Sequence, residues 1–309
     1  LIAVSSVLNL VNMMRVNLMV EERRAEALTV QRVRVQKAAA GKGGMEHPSN
    51  LGVQLARELQ KEFGGRIFMV DPPCVDELCD MARMTGIDGV PRHTNMHALN
   101  LRGVAMHHAK HVLGKKYEDC CFIVCHIDGG ISVSAHRYGR IIDCNDAAGG
   151  DGPYTPTRIG SVSVADILEY VRDKDIDEVK KLCTRTGGFV SHFGTSSSDA
   201  VHKMAEEGNK KAIRVWDGMK YQIVKYIGAM AAVLGGRVDG ILLTGGLLRF
   251  EDITQTIREQ CEWIAPVSTY PGEVEHEALA AGALRVLRGE EEPKHYSGRP
   301  VWDGWHDED

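Results

Sequence analysis

The 309-residue sequence carries no C-x-x-C pair, no G-x-G-x-x-G fingerprint, no G-x-x-x-x-G-K-[ST] loop and no excess of basic side chains. Each absence removes a class of function. Without those glycine patterns the Rossmann and P-loop nucleotide-binding classes lose support. A formal net charge of -5, from 37 basic and 42 acidic residues, gives no electrostatic footprint for nucleic acid. Four of the eight cysteines sit in or beside apolar, strand-like runs, where a thiol behaves as a small hydrophobe, so they read as reduced thiols of a cytoplasmic protein. The run "LIAVSSVLNLVNMM" is too short to span a bilayer and has neither the basic lead nor the cleavage site of a signal peptide, so no membrane partner is expected. No internal repeat or low-complexity tract is visible.

What is present beyond residue 45 is an alternation of helical and strand-like segments, the mark of an α/β protein, at a length that favours two lobes. Ser49 is a good N-cap; Leu51, Leu55, Leu59 and Phe63 recur at helical spacing until Gly64 and Gly65 stop the helix. "RIFMVDPP" predicts a short buried strand delivering Asp71 to its C-terminal end, followed by a helix through Leu78 and Met81. A helix from Met96 to Leu113 leads into "CCFIVCHI", "ISVSAH" and "RIIDC", read as a β-meander. The Gly/Pro-rich stretch Asn145 to Ser161 is longer than most connections, which marks a functional or disordered loop, and Arg158 lies near its end. Helices are expected around Asp166 to Val171 and Asp199 to Glu207. A longer one follows from Lys210 to Leu234, with Ile213, Met219, Ile223, Ile227 and Met230 inward. "VDGILLTGGLL" reads as strand, Gly-Gly turn and helix, and "APVSTY" as a strand before a last helix opened by Pro271 and Gly272. The first forty residues are charged, without turn signals or strand alternation.

Three places could carry chemistry, and each has a plain alternative. Asp128, Gly129 and Gly130 between apolar runs make a good hairpin turn; the same glycines let a backbone approach a phosphate, with His126 and Ser132 as flanking donors. His126 ends an apolar strand, where a satisfied core histidine is the commoner case. Gly245 and Gly246 allow a tight turn, and also fit a seat for adenosine. Glu273 and Glu277, four apart near a helix start, favour the helix dipole; the other reading makes Glu277 a ligand, direct or through water, for a magnesium ion on nucleotide phosphates.

Taken together, "GKGG", "EHPSNLGVQLA", "FMVDPPCVDE", "HALNLRGVA", "CHIDGGISVSAHRYGRIIDCN", "GPYTPTRIGSVSVADI", "VDGILLTGGL" and "YPGEVEHEALAAGALRVLRGEEE" occur in the order seen in butyrate kinases. These belong to the acetate and butyrate kinase branch of the actin, hexokinase and heat-shock ATPase superfamily. The resemblance covers about Gly41 to Tyr296. It implies two actin-like, ribonuclease H-like lobes around a cleft: 1–118 completed by 281–309, and a nucleotide-binding lobe 119–280. It implies ATP and Mg2+ as cofactors, butanoate or another short-chain carboxylate as acceptor, and a homo-oligomer. By the same resemblance His126 and Arg158 stabilise the transferring phosphoryl group, Asp128, Gly129 and Gly130 form a phosphate loop, and Gly245 with Gly246 forms the adenosine loop. His47, Asp71 and Lys42 surround the reacting centre, and Glu277 is the metal-associated glutamate.

The sequence also departs from that pattern. The family's N-terminal strand-turn-strand with its Asn-Pro-Gly-Ser loop has no counterpart. About forty residues of helix-like composition cannot supply the several strands that should follow it. The first lobe is therefore expected to be incomplete, and Leu1 in place of methionine suits a partial gene. Residues are missing between "GKGG" and "MEHPSN", Lys42 replaces an arginine, and Asp128 replaces a small or apolar residue. Two other readings stay open: a nucleotide-binding relic without catalysis, and a kinase for acetate, propionate or a branched acid.

Overall fold

The computed structural model describes residues 2–4, 49–294, 302, 304 and 305. Contacts divide the chain into two compact units, Leu1–Asp76 with Val274–Asp309, and Glu77–Glu273. The segment 77–118, assigned from sequence to the first lobe, packs within the second unit.

In the first unit β1 (Ile2–Val4) pairs in parallel with β2 (Ile67–Met69). Between them in sequence lies α1 (Ser49–Phe63), which begins at Ser49 and stops before the glycine pair, as expected. Gly64 and Gly65 take φ of 72° and 99°, the left-handed conformation that ends a helix. β2 is shorter than expected and is not buried, since Ile67 and Met69 are exposed. Asp71, just beyond it, holds φ of 39°, uncommon for a residue with a side chain. The last described helix, Glu275–Leu287, passes close to the end of β2: a Cβ on Gly282 would come within 2.6 Å of Val70 Cγ1.

The second unit is built on a five-stranded sheet in the order β5-β4-β3-β6-β7. Its strands are β3 (Cys121–Ile127), β4 (Ile131–Arg137), β5 (Arg140–Cys144), β6 (Gly240–Gly245) and β7 (Val267–Pro271). The meander β3-β4-β5 is antiparallel, as its short turns require, while β6 and β7 join in parallel through helical crossovers. Every residue of central β3 is buried, so both faces need cover. Strand alternation supplies it. Cys121, Ile123, Cys125 and Ile127 join the core cluster with Met219, Ile223 and Ile227 of the long helix α3 (Lys210–Val233). On the opposite face Phe122 and His126 meet His108 and Asn100 of α2 (Ala98–His111). The inward stripe on α3 contains Val215, Trp216, Met219, Ile223, Ile227 and Met230; Ile213, expected in it, is 38% exposed because the stripe begins one position earlier, at Ala212. α4 (Glu251–Cys261) follows a 3-10 turn, Gly246–Arg249.

Some elements differ from expectation. The helix through Leu78 and Met81 is one turn, Asp80–Arg83. Helices Ile176–Thr184 and Gly188–Phe193 lie in a stretch for which no element was expected, the first capped by Asp175, whose side chain accepts from Asp177 N–H. The final helix begins at Glu275, so Glu273 and Glu277 share no helical face. Among the described residues, no helix is long and apolar enough to cross a membrane.

Candidate functional site

The site in the second unit grows from the C-terminal ends of β3 and β6. β3 and β4 are closed by the pair Ile127–Ile131, leaving Asp128, Gly129 and Gly130 as a three-residue tip. The tip is a hairpin, and its aspartate does more than turn the chain. Asp128 Oδ1 accepts the N–H of Gly129 at 2.7 Å and Oδ2 accepts the N–H of Gly246 at 2.7 Å, so one carboxylate joins the hairpin to the Gly-Gly turn after β6. Gly245 there holds φ of 110°, with its Cα side pressed on the backbone of Ile127. Gly272, after β7, forms a bridge with Gly245.

The register lines up Ser132, His126 and Thr244 across three adjacent strands. Each is fully buried. From α2, Asn100 Nδ2 meets His126 Nδ1 at 2.7 Å and donates to Thr244 Oγ1 at 3.2 Å. Just before α2, His97 stacks on the His126 ring, centroids 3.9 Å apart, with its Nδ1 2.8 Å from Ser132 Oγ. Desolvation holds both imidazoles below their ordinary pKa, His126 against the pull of Asp128, and His97 with the neighbouring His126 and Arg158 adding to the effect. His126 Nε2 stands 4.0 Å from Glu273 Oε1. His126, Asp128 and Glu273 offer three ligand atoms within 4.8 Å of one another.

Loop 145–161 closes the other side. Thr155 and Thr157 hydroxyls both donate to Gly129 C=O, at 2.7 and 3.1 Å, fixing the hairpin tip. Arg158 lies over Gly130, where a Cβ would come within 2.5 Å of Nη1. Its Nη1 donates to Ala147 C=O, while its buried Nε has no hydrogen-bond partner among the described residues. Burial lowers the Arg158 pKa and the charge of Asp146 opposes the shift. The loop is pinned by Asp151, whose Oδ1 accepts from Ser161 Oγ at 3.1 Å and Tyr226 OH at 3.0 Å, and whose Oδ2 pairs with Arg92 at 3.5 Å.

Of the residues singled out in the sequence, the second unit therefore brings together His126, Asp128, Gly129, Gly130, Ser132, Arg158, Gly245 and Gly246. Asp71 and Glu277 belong to the first unit, the latter exposed in the first turn of the last helix, where it suits the dipole. Lys42 and His47 lie outside the described residues. Ser132 is there, but its hydroxyl is engaged by His97. Sequence reading missed His97, Asn100, Thr155, Thr157, Thr244 and the placement of Glu273. "HALN" put a histidine and an amide three apart at a helix start, a visible signal whose target only the fold reveals. A separate concavity of about 370 Å³ is lined by Tyr154, Ile159, Ile167, Leu182 and His192, and by none of the converging residues.

The model of the acetokinase family matches residues 90–268, which hold all of this constellation except Gly272 and Glu273. The chain belongs to that family. The chain is 42% identical over 253 residues to a probable butyrate kinase of Coprothermobacter proteolyticus, covering 81% of the chain and 71% of the relative. It is 43% identical over 252 residues to a probable butyrate kinase of Clostridium botulinum, with the same shares of the two chains covered. Among solved structures it resembles the acetate kinase of Porphyromonas gingivalis, with a TM-score of 0.70 at 19% identity, covering 87% of this chain and 75% of that one. It also resembles a propionate kinase of Francisella tularensis, with a TM-score of 0.66 at 15% identity, covering 82% and 73%. The chain thus has the expected α/β, actin-like fold.

Proposed function

We propose that this protein transfers the γ-phosphoryl group of ATP to butanoate, giving butanoyl phosphate and ADP. The observation that carries the reading is the 42–43% identity to probable butyrate kinases across a site whose donors converge on one point. In the step, a carboxylate oxygen of butanoate bonds to the γ-phosphorus while the bond from that phosphorus to the ADP oxygen breaks. The protein's task is to hold two anions in line and offset charge on the transferring group. Arg158 and His126 serve that end, the arginine with its unpartnered Nε and the histidine as a neutral donor. In this reading the hairpin tip lies against the phosphates and the Gly245–Gly246 turn against the adenosine, by close approach of glycine backbone, since the N–H groups of Gly129 and Gly246 are held by Asp128 and that of Gly245 by Gly272 C=O. Asp71, His47 and Lys42 belong to the acceptor side in this reading.

The donor set suits magnesium, a hard cation that takes carboxylate oxygens: Asp128 and Glu273 would hold it, with Glu277 kept from the resemblance as a further candidate. When bound, the ion neutralises phosphate charge. Asp128 has a second duty, since it already ties the two glycine turns together. The protein in this reading acts in the cytoplasm, as a homo-oligomer, the state the family resemblance implies.

The test is a hydroxamate trap for acyl phosphate with ATP, Mg2+ and each linear carboxylate from acetate to pentanoate. Butanoate should give the highest kcat/KM. A preparation that binds ATP and turns over none of these acids would sink the reading in favour of a nucleotide-binding relic, and a clear preference for acetate or propionate would change the acid. His126→Ala should lower kcat about 10²-fold or more, the usual loss on removing one donor to a developing charge; an unchanged kcat removes His126 from the chemistry.

A further inference from the structure

His126 reaches the site with its ring already bonded from behind, and that bond determines which nitrogen carries the hydrogen. Asn100 sits on the buried face of α2, with its amide nitrogen 2.7 Å from His126 Nδ1 and 3.2 Å from Thr244 Oγ1. The Thr244 hydroxyl has one hydrogen, and it donates it to Gly272 C=O at 2.9 Å. Toward Asn100 it therefore presents lone pairs only. A carboxamide turned the other way would set its own oxygen against those lone pairs and leave the amide hydrogens without this acceptor. With the nitrogen facing both partners, each amide hydrogen has one acceptor, Thr244 Oγ1 and His126 Nδ1. A nitrogen that accepts carries no proton, so in a neutral imidazole the hydrogen is on Nε2.

We propose that Asn100 is a positioning residue that fixes His126 as its Nε2–H tautomer, so the ring meets an anionic oxygen as a neutral hydrogen-bond donor. Burial of the ring agrees with the neutral form. The same wiring keeps Nε2 from acting as a metal ligand, since its lone pair is absent in this tautomer, and leaves the cation to Asp128 and Glu273. The use made of the Nε2 hydrogen rests on the phosphotransferase reading above, whereas the tautomer itself does not.

The experiment is long-range ¹H–¹⁵N NMR on the full chain labelled with ¹⁵N-histidine at neutral pH, with the His126 signals assigned by their loss in His126→Gln. The wild type should show a protonated Nε2 and a bare Nδ1. Asn100→Asp, nearly isosteric, replaces the donor by an acceptor and should invert the pattern, with kcat down about 10²-fold and the nucleotide KM little changed. A wild type with Nδ1–H or a doubly protonated ring overturns the proposal, as does Asn100→Asp that keeps Nε2–H. Should Asn100→Asp fail to fold, the wild-type spectrum alone decides. Because the spectrum needs no substrate, a chain inactive on every carboxylate would sink the proposed reaction and leave the tautomer assignment standing.

Discussion

Two Gly-Gly dipeptides look alike in the sequence and meet in the site, yet glycine serves them differently. At the hairpin tip neither Gly129 nor Gly130 has a left-handed φ. Gly129 faces open space, and Gly130 faces the end of a flexible arginine. In the turn after β6, Gly245 combines φ of 110° with a Cβ position 2.3 Å from Ile127 O, and Gly246 would put a Cβ 2.5 Å from Asp128 Oδ2. One pair leaves room for a side chain that acts, and the other lets two backbones touch.

The comparison is breakable. Gly245→Ala faces both backbone strain and a clash with main chain that cannot swing away, so a loss of more than about 3 kcal/mol is expected, seen in thermal unfolding or as an insoluble product. A stable Gly245→Ala would end the distinction. Gly130→Ala should instead push Arg158 aside: kcat should fall by about 10²-fold, the scale set by misplacing a positioning group, with Tm nearly unchanged. Asp128→Ala removes the carboxylate that holds one amide from each turn, and chemical denaturation should show a loss of about 1–3 kcal/mol.

Acid should weaken the hairpin side in its own way. His97, His126 and His136 all stand on or against the β3–β4 hairpin, and desolvation lowers the pKa of each in the folded state. A histidine whose folded pKa lies below its unfolded one contributes stability that is complete above the unfolded value, about 6.5. That contribution falls away as the pH drops from there toward the folded values. Urea midpoints should therefore be flat from pH 8 to pH 7 and decline steadily below about 6.5; a midpoint that holds level to pH 5 would mean these rings are not buried neutral. Gly129→Ala completes the series at the small end, within about 0.5 kcal/mol of wild type.

Much of this site could be read along the chain. Short apolar, strand-like runs joined by tight turns gave the meander, and the Asp-Gly signal gave the turn between its first strands, because both are local. Ile213 illustrates the limit of periodicity: a helical stripe is about 100° wide, and which edge residue falls inside it depends on the sheet beneath. Glu273 was read as part of a helix whose N-terminus lies two residues later, since Gly272 pairs with Gly245 and holds the chain extended. His97 and Asn100 stayed hidden because their partners, Ser132, His126 and Thr244, are 26 to 144 residues away and are set by strand register.

The loop that bears Arg158 has a further bearing on engineering. Its anchors elsewhere in the chain include Arg92 and Asn95 before α2, and Gln222 and Tyr226 on α3. It is not a portable cassette. A chimera that imports 146–161 from a relative would have to import those partners as well, so swaps meant to retune acid preference will succeed only as grafts of several dispersed pieces.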